Sequence, residues 1–556
     1  LLLLLHIEYT PASVYKLQEI LKSNVKKCNE SSALTLEIPS DLTKTRYLCP
    51  HCDQISKTPT ECSNNCSSNK KDDIQIVKPH IFLPFNIHIQ LQQILSREKR
   101  ICFHDSTSTE TDKGFMTGIT EGQRYLAVAK EATTDDKTKF ISLIMNVDGV
   151  SIRNKTDASL WIFTLAILEI HRSNRFRMEN IVVAGVSLGY KKPSKKIINL
   201  MLTPIVEQLK LLQDHRQYLI GSKNELIRAF LITSCSDKPA NCMIQGIPEP
   251  TSFYGCSNCE IHGISALANL NAKPNTRKAT TTVRVFSTTE LHNWPTRRNA
   301  TNYYFYLNKY ASLIKNSRLS ADHIRDATMD YISPCLLLDL KYFEYSSGFL
   351  IDTLHTIYHG IWKRLLRLWF NEESKKEIWS LCSQKKKIDL KLNYLKFPTT
   401  TVRTPRSISR YEKLKANELR IVLLVAFPIL REFLHEKYYQ HAQLLTTSIS
   451  IAENRTIKNE NVMLMQHLMN KFIDCFETMY MLRHVVQTVH SALHLPQSVL
   501  DFGPTFGFST FSFESILEQQ EYRLQIRVLQ ECTFDHGKCE NVTSKVVWKT
   551  AECTVF

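Results

Sequence analysis

The chain has 556 residues, 43% of them hydrophobic and 22% charged, values that exclude a disordered or fibrous protein and allow two to four structural units. Lysine and arginine exceed aspartate and glutamate by 16 (70 against 54), a surplus that favours nucleic acid over a membrane as partner. The run Leu1–Leu5 is too short for a signal peptide, and no later run reaches the roughly 18 apolar residues of a spanning helix. We therefore expect a nuclear or cytosolic protein with no membrane partner.

Four closely spaced cysteines, of the five in residues 1–100, distinguish the N-terminal region. They stand in two close pairs within eighteen residues, Cys49 with Cys52 and Cys62 with Cys66. Thiolates at such spacings are typical of a small structural zinc site, in which His51 could replace one ligand. The alternative is a cysteine-rich segment without metal. We predict a zinc-ribbon-like module that contacts DNA or braces this region.

An α/β unit is predicted over residues 135–264, where short apolar runs alternate with one amphipathic helix. The helix is expected at Ser194–Gln213, after Pro193. Buried strands are expected at three apolar runs, Phe140–Asp148, Ile181–Gly189 and Leu226–Thr233. The first strand is expected to end in a turn at Asp148-Gly149.

Two aspartates stand at or just beyond strand ends, Asp148 after the first predicted strand and Asp237 after the third. Carboxylates in such places could converge at one end of a sheet and hold divalent cations through oxygen ligands. Two cations about 3.5–4 Å apart activate a water or hydroxyl in phosphodiester cleavage. The alternative for each aspartate is a turn former or a helix cap.

A helical block is predicted over residues 265–485, followed by a short segment, 486–530, and a C-terminal tail, 531–556. Long helix-like segments lie at Phe349–Phe370, Tyr411–Tyr439 and Asn461–His494. Loops such as Pro398–Ser409 separate them. The predicted fold class is therefore α/β plus all-α.

A second set of metal-binding side chains is divided between distant parts of the sequence. Cys256 and Cys259 form a CxxC pair, while His490 and His494 stand four residues apart on one face of a predicted helix. Two thiolates and two imidazoles complete a tetrahedral zinc site, which would tie the α/β unit to the end of the helical block. The alternative is a pair of buried thiols and an unrelated pair of surface histidines.

A series of motifs in chain order carries a family resemblance. The motifs are MNVDG at Met145–Gly149, SLW at Ser159–Trp161, RMENIVVAG at Arg177–Gly185, RAF at Arg228–Phe230, DKPA at Asp237–Ala240, YGCSNCE at Tyr254–Glu260, DTLHTIYHGIWKRLL at Asp352–Leu366, KANELR at Lys415–Arg420, and FGP and FSFE between His494 and Glu514. Over about residues 140–520 the chain resembles the CACTA (En/Spm) group of cut-and-paste DNA transposases. The layout is also similar to the catalytic subunit of the V(D)J recombinase.

The resemblance implies a ribonuclease-H-like core interrupted by a large helical insertion. It implies that Cys256, Cys259, His490 and His494 bind Zn²⁺. It also implies that Asp148, Asp237 and Glu514 hold Mg²⁺ or Mn²⁺ as the catalytic acids. Two rivals for the third acid stay open, Glu418 (otherwise a helix-surface charge) and Asp352 (otherwise a helix N-cap), and His355 either lines the site or packs in its helix.

The resemblance further implies a nuclear DNA transposase that cleaves transposon ends, joins them to target DNA and works as a homo-oligomer. Lys363, Arg364 and Arg367 lie in a family motif beside two tryptophans and are predicted to bind DNA phosphates. The chain departs from the family after FGP, where Phe506 and Phe508 stand near the usual tryptophan position, and after Glu514. The alternatives are a transposase-derived DNA-binding protein without cleavage and a nuclease without strand transfer.

Overall fold

A computed structural model describes residues 38–70, 73–104, 114–135, 138–151, 159–189, 191–268, 276–288, 294–397, 401 and 403–516. The chain divides into two compact units, one formed by Leu36–Ser512 and the other by Leu1–Thr35 with Phe513–Phe556. Of the smaller unit, residues 513–516 are described. No helix among the described residues is long and apolar enough to cross a membrane.

An eight-stranded sheet organises the larger unit. Its strands are β1 (Arg46–Leu48), β2 (Ile55–Ser56), β3 (His80–Pro84), β4 (Lys139–Ser151), β5 (Ser159–Ile167), β6 (Ile181–Gly189), β7 (Arg216–Ile220) and β8 (Lys223–Ser234). Their order across the sheet is β7-β8-β4-β5-β6-β3-β1-β2. β4 and β8 run parallel, whereas the other neighbouring strands run antiparallel. The sheet therefore joins strands near the N-terminal cysteines to those of the predicted α/β unit.

Short two-stranded ribbons supply the other strands of the described residues. They pair Ser67–Lys70 with Asp73–Ile76, Phe115–Met116 with Ile457–Lys458, and Ile264–Leu267 with Thr282–Val285.

The three predicted strands are present, with β6 at the predicted bounds and β8 longer at both ends. The turn expected at Asp148-Gly149 is wrong, because β4 continues to Ser151. The extension pairs with β5, with Asp148 opposite Ile162 and Ser151 opposite Ser159. An Asp-Gly pair favours a turn locally, but the ladder to β5 satisfies the backbone groups of these residues in extended form.

The structure gives the bounds of fifteen α-helices, and a further helical stretch covers residues 510–516. They are α1 (Ile87–Arg97), α2 (Gln123–Asp135), α3 (Arg172–Arg175), α4 (Lys195–Leu212), α5 (Lys238–Gln245), α6 (Arg277–Thr280), α7 (Ala300–Leu313), α8 (Ala321–Ala327), α9 (Lys363–Phe370), α10 (Lys385–Tyr394), α11 (Ala416–Ile421), α12 (Glu436–Ala452), α13 (Asn459–Tyr480), α14 (Gln487–Ser491) and α15 (Leu495–Phe502). A π-helix, Leu354–Trp362, leads into α9, and another, Val422–Ala426, follows α11.

Two hydrophobic cores follow from this arrangement. One lies between the sheet and helices α1, α4 and α5, where buried side chains such as Leu143, Phe163 and Ile205 meet. Helix α4 confirms the predicted helix at Ser194–Gln213; the Ser194 side chain accepts a hydrogen bond from the Ile197 amide at its start. The other core lies among the helices from residue 357 onward and includes Trp362, Trp369 and Phe472.

The predicted long helices of the second core are interrupted. Tyr411–Tyr439 is broken into short helical pieces. Lys415 is extended at the start of α11, and Pro428 begins a 3₁₀ segment, Phe427–Glu432. Proline lacks the amide that donates in an α-helix interior, which disfavours one continuous helix there, although α4 continues through Pro204. Asn461–His494 is broken at Met481, whose φ of 72° ends α13.

Candidate active site and metal centres

The parallel pair β4 and β8 lies next to the two predicted aspartates. Met145 is in register with Ser234, so Asp148 and Asp237 each lie three residues further along. Beyond the ladder, the Cys235 amide donates to the Met145 carbonyl (2.9 Å) and the Val147 amide donates to Ser236 Oγ (2.9 Å). These bonds hold the two chain segments together up to the carboxylates, both of which are partly buried.

Asp237 also serves as the N-cap of α5. Its Oδ1 accepts a hydrogen bond from the Ala240 amide at 2.7 Å, which is the structural role weighed against catalysis in the sequence. Burial raises the pKa of Asp237, while the Ala240 amide and nearby His355 act to lower it and Asp352 acts to raise it. Asp237 therefore lies in the same electrostatic environment as Asp352 and His355.

A third backbone segment runs parallel to the end of β8 and also precedes an aspartate. The Ser234 amide donates to the Gly348 carbonyl (2.7 Å), and the Leu350 amide donates to the Ser234 carbonyl (3.0 Å), which makes a parallel bridge between Ser234 and Phe349. Asp352 follows two residues after Leu350. Three neighbouring segments with the same direction thus lead to Asp148, Asp237 and Asp352.

Asp352 is 3% exposed, and donors surround it. Its Oδ2 accepts from the His355 amide (2.9 Å) and from His355 Nδ1 (2.7 Å). Its Oδ1 accepts from the Thr510 amide (3.1 Å). Burial acts to raise the pKa of Asp352, but the bonds from His355 and Thr510 outweigh it, and the pKa is lowered. Asp352 therefore orients His355, whose ring is half-buried, in addition to capping the helix that follows.

Glu418, the other rival for the third acid, has a structural role. Its side chain is 0% exposed, and its oxygens accept from Arg406 Nε and Nη2, both at 2.8 Å, and from the Lys415 amide at 2.9 Å. The expectation of a helix-surface charge is wrong, because Glu418 forms a buried capping box at the start of α11. Glu514 lies in a helical stretch, 510–516, and belongs to the smaller unit. Its catalytic role stays a prediction.

The structure brings the distant cysteines and histidines together. Cys259 Sγ lies 3.1 Å from His490 Nε2, and Cys256 Sγ lies 3.4 Å from His494 Nε2. One ligand atom from each residue lies within 4.8 Å of the others. Tetrahedral zinc, with Zn–S about 2.3 Å and Zn–N about 2.0–2.1 Å, separates its ligand atoms by roughly 3.5–3.8 Å. We name these four residues the cysteine–histidine group, and their donor set and spacing fit zinc.

Two cations, the buried Arg298 and the partly buried Lys238, fix the surroundings of the cysteine–histidine group. Arg298, 0% exposed, donates from Nε to the Cys256 carbonyl (2.8 Å) and from Nη2 to the Tyr254 carbonyl (2.6 Å), which holds the CxxC loop. Lys238, the residue after Asp237, donates to Gln487 Oε1 (2.5 Å) and Ser491 Oγ (2.6 Å) on α14. Because α14 also carries His490, Lys238 connects the end of β8 to the histidine helix.

The thiols of this group differ in their proton affinity. Burial acts to raise the pKa of Cys256, but its contacts with Cys259, His494 and His490 outweigh burial and hold the pKa well below its usual value. Burial raises the pKa of Cys259, and its contact with Cys256 raises it further. One thiolate is thus favoured within the group, as metal binding requires deprotonated sulfur.

The N-terminal cysteines also come together, and we name them the four-cysteine group. The sulfur atoms of the four residues all lie within 4.8 Å of one another: Cys49, Cys52, Cys62 and Cys66. Cys52 Sγ is 3.5 Å from Cys62 Sγ. The group could hold a metal such as zinc. His51 is not part of the four-cysteine group. Among the described residues, the four-cysteine group and the cysteine–histidine group are the two sets of side chains close enough together to hold a metal ion.

The three cations predicted to bind DNA differ in their contacts within the protein. Lys363 Nζ donates to the Glu412 carbonyl at 2.8 Å. Arg364 Nη1 lies 3.5 Å from His484 Nδ1, and Arg367 is exposed. Sequence reasoning missed Lys238, Arg298 and His484. Of these, only Lys238 carried a usable signal, because it stands within the DKPA motif.

Comparison with known proteins adds one match. Residues 44–292 match the model of a family described as a protein of unknown function (DUF1258). The match spans the eight strands of the sheet, the four-cysteine group, both aspartates and the CxxC pair, and it ends before His490 and His494. No curated protein matches the sequence.

Proposed function

We propose that this protein is a metal-dependent DNA transposase with a ribonuclease-H-like core. The observation behind the proposal is the parallel register of β4 and β8, which ends three residues before Asp148 and Asp237, beside a third parallel segment that leads to the Asp352–His355 pair. The Asp237 carboxyl is partly buried near Asp352, a costly arrangement that a bound cation would relieve. The raised pKa of Asp237 agrees with such unfavourable surroundings, burial first among them.

The order of the strands supports the same interpretation. Three antiparallel strands, β4, β5 and β6, are followed by helix α4 and by β8, which returns parallel to β4 on its other side. A ribonuclease-H-like core has this succession. The antiparallel edge strand β7 and the extension β3-β1-β2 are additions of this chain.

In the proposed site, Asp148 and Asp237 would hold Mg²⁺ or Mn²⁺, and Glu514 stays the third acid that the sequence resemblance implies. When bound, the cations activate a water or a 3′-hydroxyl and stabilise the leaving oxygen. The Asp237 oxygen that does not cap α5 would face the site. Asp352 fixes the His355 ring with Nδ1–H toward the carboxylate, and the protonated ring would donate from Nε2–H to a phosphate oxygen. The cysteine–histidine group, loaded with zinc, would hold α14 against the end of β8 through Lys238.

Cleavage of DNA by the full chain tests the proposal. Linear duplexes and supercoiled plasmid are incubated with Mg²⁺ or Mn²⁺, and products are resolved on denaturing gels. Asp148→Asn and Asp237→Asn are each expected to reduce cleavage by about 1,000-fold or more, since each removes a charge that the cations need. Asp214→Asn is the matched control, because Asp214 has an exposed side chain and pairs only with Arg216 at 3.6 Å.

Joining of pre-cut 3′-hydroxyl ends to a target plasmid separates a transposase from a nuclease. Binding of DNA without cleavage in either metal would instead identify a transposase-derived binding protein and would refute the enzymatic proposal. Equal loss of cleavage in Asp214→Asn and Asp148→Asn would also refute the catalytic role of Asp148. A nuclear location and a homo-oligomeric state belong to the proposal and are tested by localisation of a tagged chain and by light scattering.

A further inference from the structure

Two arginines contact one histidine beside α9, and a third acts on it electrostatically. Arg364 and Arg367 stand three residues apart on α9 and so share one face of that helix. Arg483 and His484 lie in the short 3₁₀ turn Leu482–His484, which follows the left-handed residue Met481. Arg364 Nη1 approaches His484 Nδ1 at 3.5 Å, and Arg483 Nε approaches His484 Nε2 at 3.2 Å.

Hydrogen bonding cannot satisfy this arrangement. A neutral imidazole has one N–H and one acceptor nitrogen, yet both of its nitrogens here face guanidinium donors. If the His484 ring is neutral, one arginine therefore faces its N–H group. If the ring is protonated, both arginines face a cation. Within the described chain, the contacts of these four side chains include no carboxylate.

The electrostatics of the cluster point the same way. Burial, together with Arg364, Arg483 and Arg367, lowers the pKa of His484 to about 3. Burial lowers the pKa of Arg364 to about 10, with a contribution from Arg367. Each of the two groups is thus held beside positive charge in a partly desolvated place, where an anion would relieve the repulsion.

We propose that Arg364, Arg367 and Arg483 form a phosphate-binding site, supported by His484, that takes a backbone phosphate of DNA. Guanidinium groups present paired N–H donors that match phosphate oxygens, and three of them can share one dianionic or diester group. Lys363 is not part of this site, since it donates to the Glu412 carbonyl. The choice of DNA as the source of the phosphate rests on the proposed function, whereas the anion site itself does not.

Salt dependence of DNA binding tests the site. The full chain carrying Asp148→Asn and Asp237→Asn is used, so that cleavage does not interfere, and binding of a labelled duplex of about 30 base pairs is followed by anisotropy from roughly 50 to 300 mM NaCl. Arg483→Ala is expected to weaken binding roughly tenfold and to make the slope of log K against log salt shallower by about 0.9, the value of one phosphate contact. Arg483→Lys should keep most of the slope.

Arg431→Ala is the matched control, because Arg431 is an exposed arginine in the 3₁₀ segment Phe427–Glu432. It should leave both affinity and slope unchanged. A second measurement uses inorganic phosphate, which should raise the melting temperature of the parent and of Arg431→Ala but not of Arg483→Ala. This measurement also shows whether Arg483→Ala folds.

Equal slopes for Arg483→Ala and Arg431→Ala would overturn DNA as the occupant, even if phosphate stabilises the protein through Arg483. Equal stabilisation of all variants by phosphate would overturn the anion site. Failure of the proposed function looks different: cleavage would be absent in every metal while the Arg483→Ala slope still falls.

Discussion

The four-cysteine group and the cysteine–histidine group have similar ligand geometry but opposite sequence layouts. The four cysteines of the first stand within eighteen residues, whereas the second joins Cys256 to His494, 238 positions apart. Closing a loop removes conformational entropy from the unfolded chain, and the effect grows slowly with loop length. With the relation used for cross-links, a short loop of this kind contributes about 3 kcal/mol and the long one about 5 kcal/mol. The two groups therefore differ less in strength than in how much structure each one holds.

The difference in reach is the larger lesson. The four-cysteine group lies beside β1 and β2 at the edge of the sheet, where few elements depend on it. The cysteine–histidine group connects the loop after α5 to α14 and hence the sheet to the second hydrophobic core. Loss of the first metal should loosen one edge, whereas loss of the second should loosen the larger unit as a whole.

The largest effect is expected from His490→Ala. Bound zinc should fall from two ions per chain to one, and the free energy of unfolding should fall by about 5 kcal/mol because the long loop is no longer closed. Metal content by mass spectrometry and urea denaturation measure these changes. His467→Ala replaces an exposed histidine of α13 and should change neither value. Unchanged zinc content in His490→Ala would show that the group does not bind metal.

A smaller and more local effect is expected from Cys52→Ser. One zinc should again be lost, but destabilisation should stay near about 3 kcal/mol and be confined to the N-terminal edge of the sheet. Hydrogen exchange should accelerate in β1 and β2 and stay slow in β4 and β8. Cys102→Ser changes an exposed cysteine and serves as the control. Accelerated exchange in β4 would contradict the contrast between the two groups.

Lys238→Met probes the link between the long-range group and the strand end. The change leaves Gln487 Oε1 without the Lys238 donor, at a cost of about 1–3 kcal/mol, whereas Ser491 Oγ still accepts from Gln487 Nε2. Zinc content should be unchanged. Cleavage should fall because Lys238 is the first residue of α5, and Asp237 is the N-cap of that helix. Lys396→Met, at an exposed lysine, is the control. A variant as stable and active as the control would show that the two sites are independent.

The smallest effect concerns pH and lies away from both groups. Burial raises the pKa of Glu169 from 4.5 to about 6, although bonds from Ser142 and Tyr125 act to lower it. Because the folded-state pKa is the higher one, its stabilisation is complete below about pH 4.5 and is lost as pH rises through about 6. Relative to Glu169→Gln, the wild type should lose at most about 2 kcal/mol between about pH 4 and 7. Denaturation curves at both pH values measure this, and a difference of the opposite sign would refute it.

The sequence was most informative where local pattern and tertiary environment agree. β6 is an uninterrupted apolar run and was predicted to the residue, and α4 has Ser194 as a cap. β1 and β3 could not be predicted in the same way, because they are short and are stabilised by pairing with each other and, for β3, with the distant strand β6. The break of Tyr411–Tyr439 was foreseeable at Pro428 but not at Lys415, where the buried Glu418 starts a new helix.

The site divides along the same line. The meeting of Cys256 and Cys259 with His490 and His494 was predicted because metal ligands are scarce residue types and few combinations complete a tetrahedron. The hydrogen bonds that His355 and Thr510 donate to Asp352 were not predicted. They depend on the position of the segment around Phe349, which pairs with β8 through a single bridge to Ser234. Contacts of Lys238 and His484 likewise arise only from packing between helices distant in sequence.

The span between Cys256 and His494 also has a consequence in time. At about 5–20 residues per second, a ribosome takes roughly 10–50 s to extend the chain from the cysteine pair to the second histidine. The four-cysteine group, in contrast, has all its ligands within about 1–4 s. Throughout synthesis of the helical block, Cys256 and Cys259 therefore supply only two of the four ligands. Until the two histidines are made, another metal can bind these cysteines or an oxidant can oxidise them.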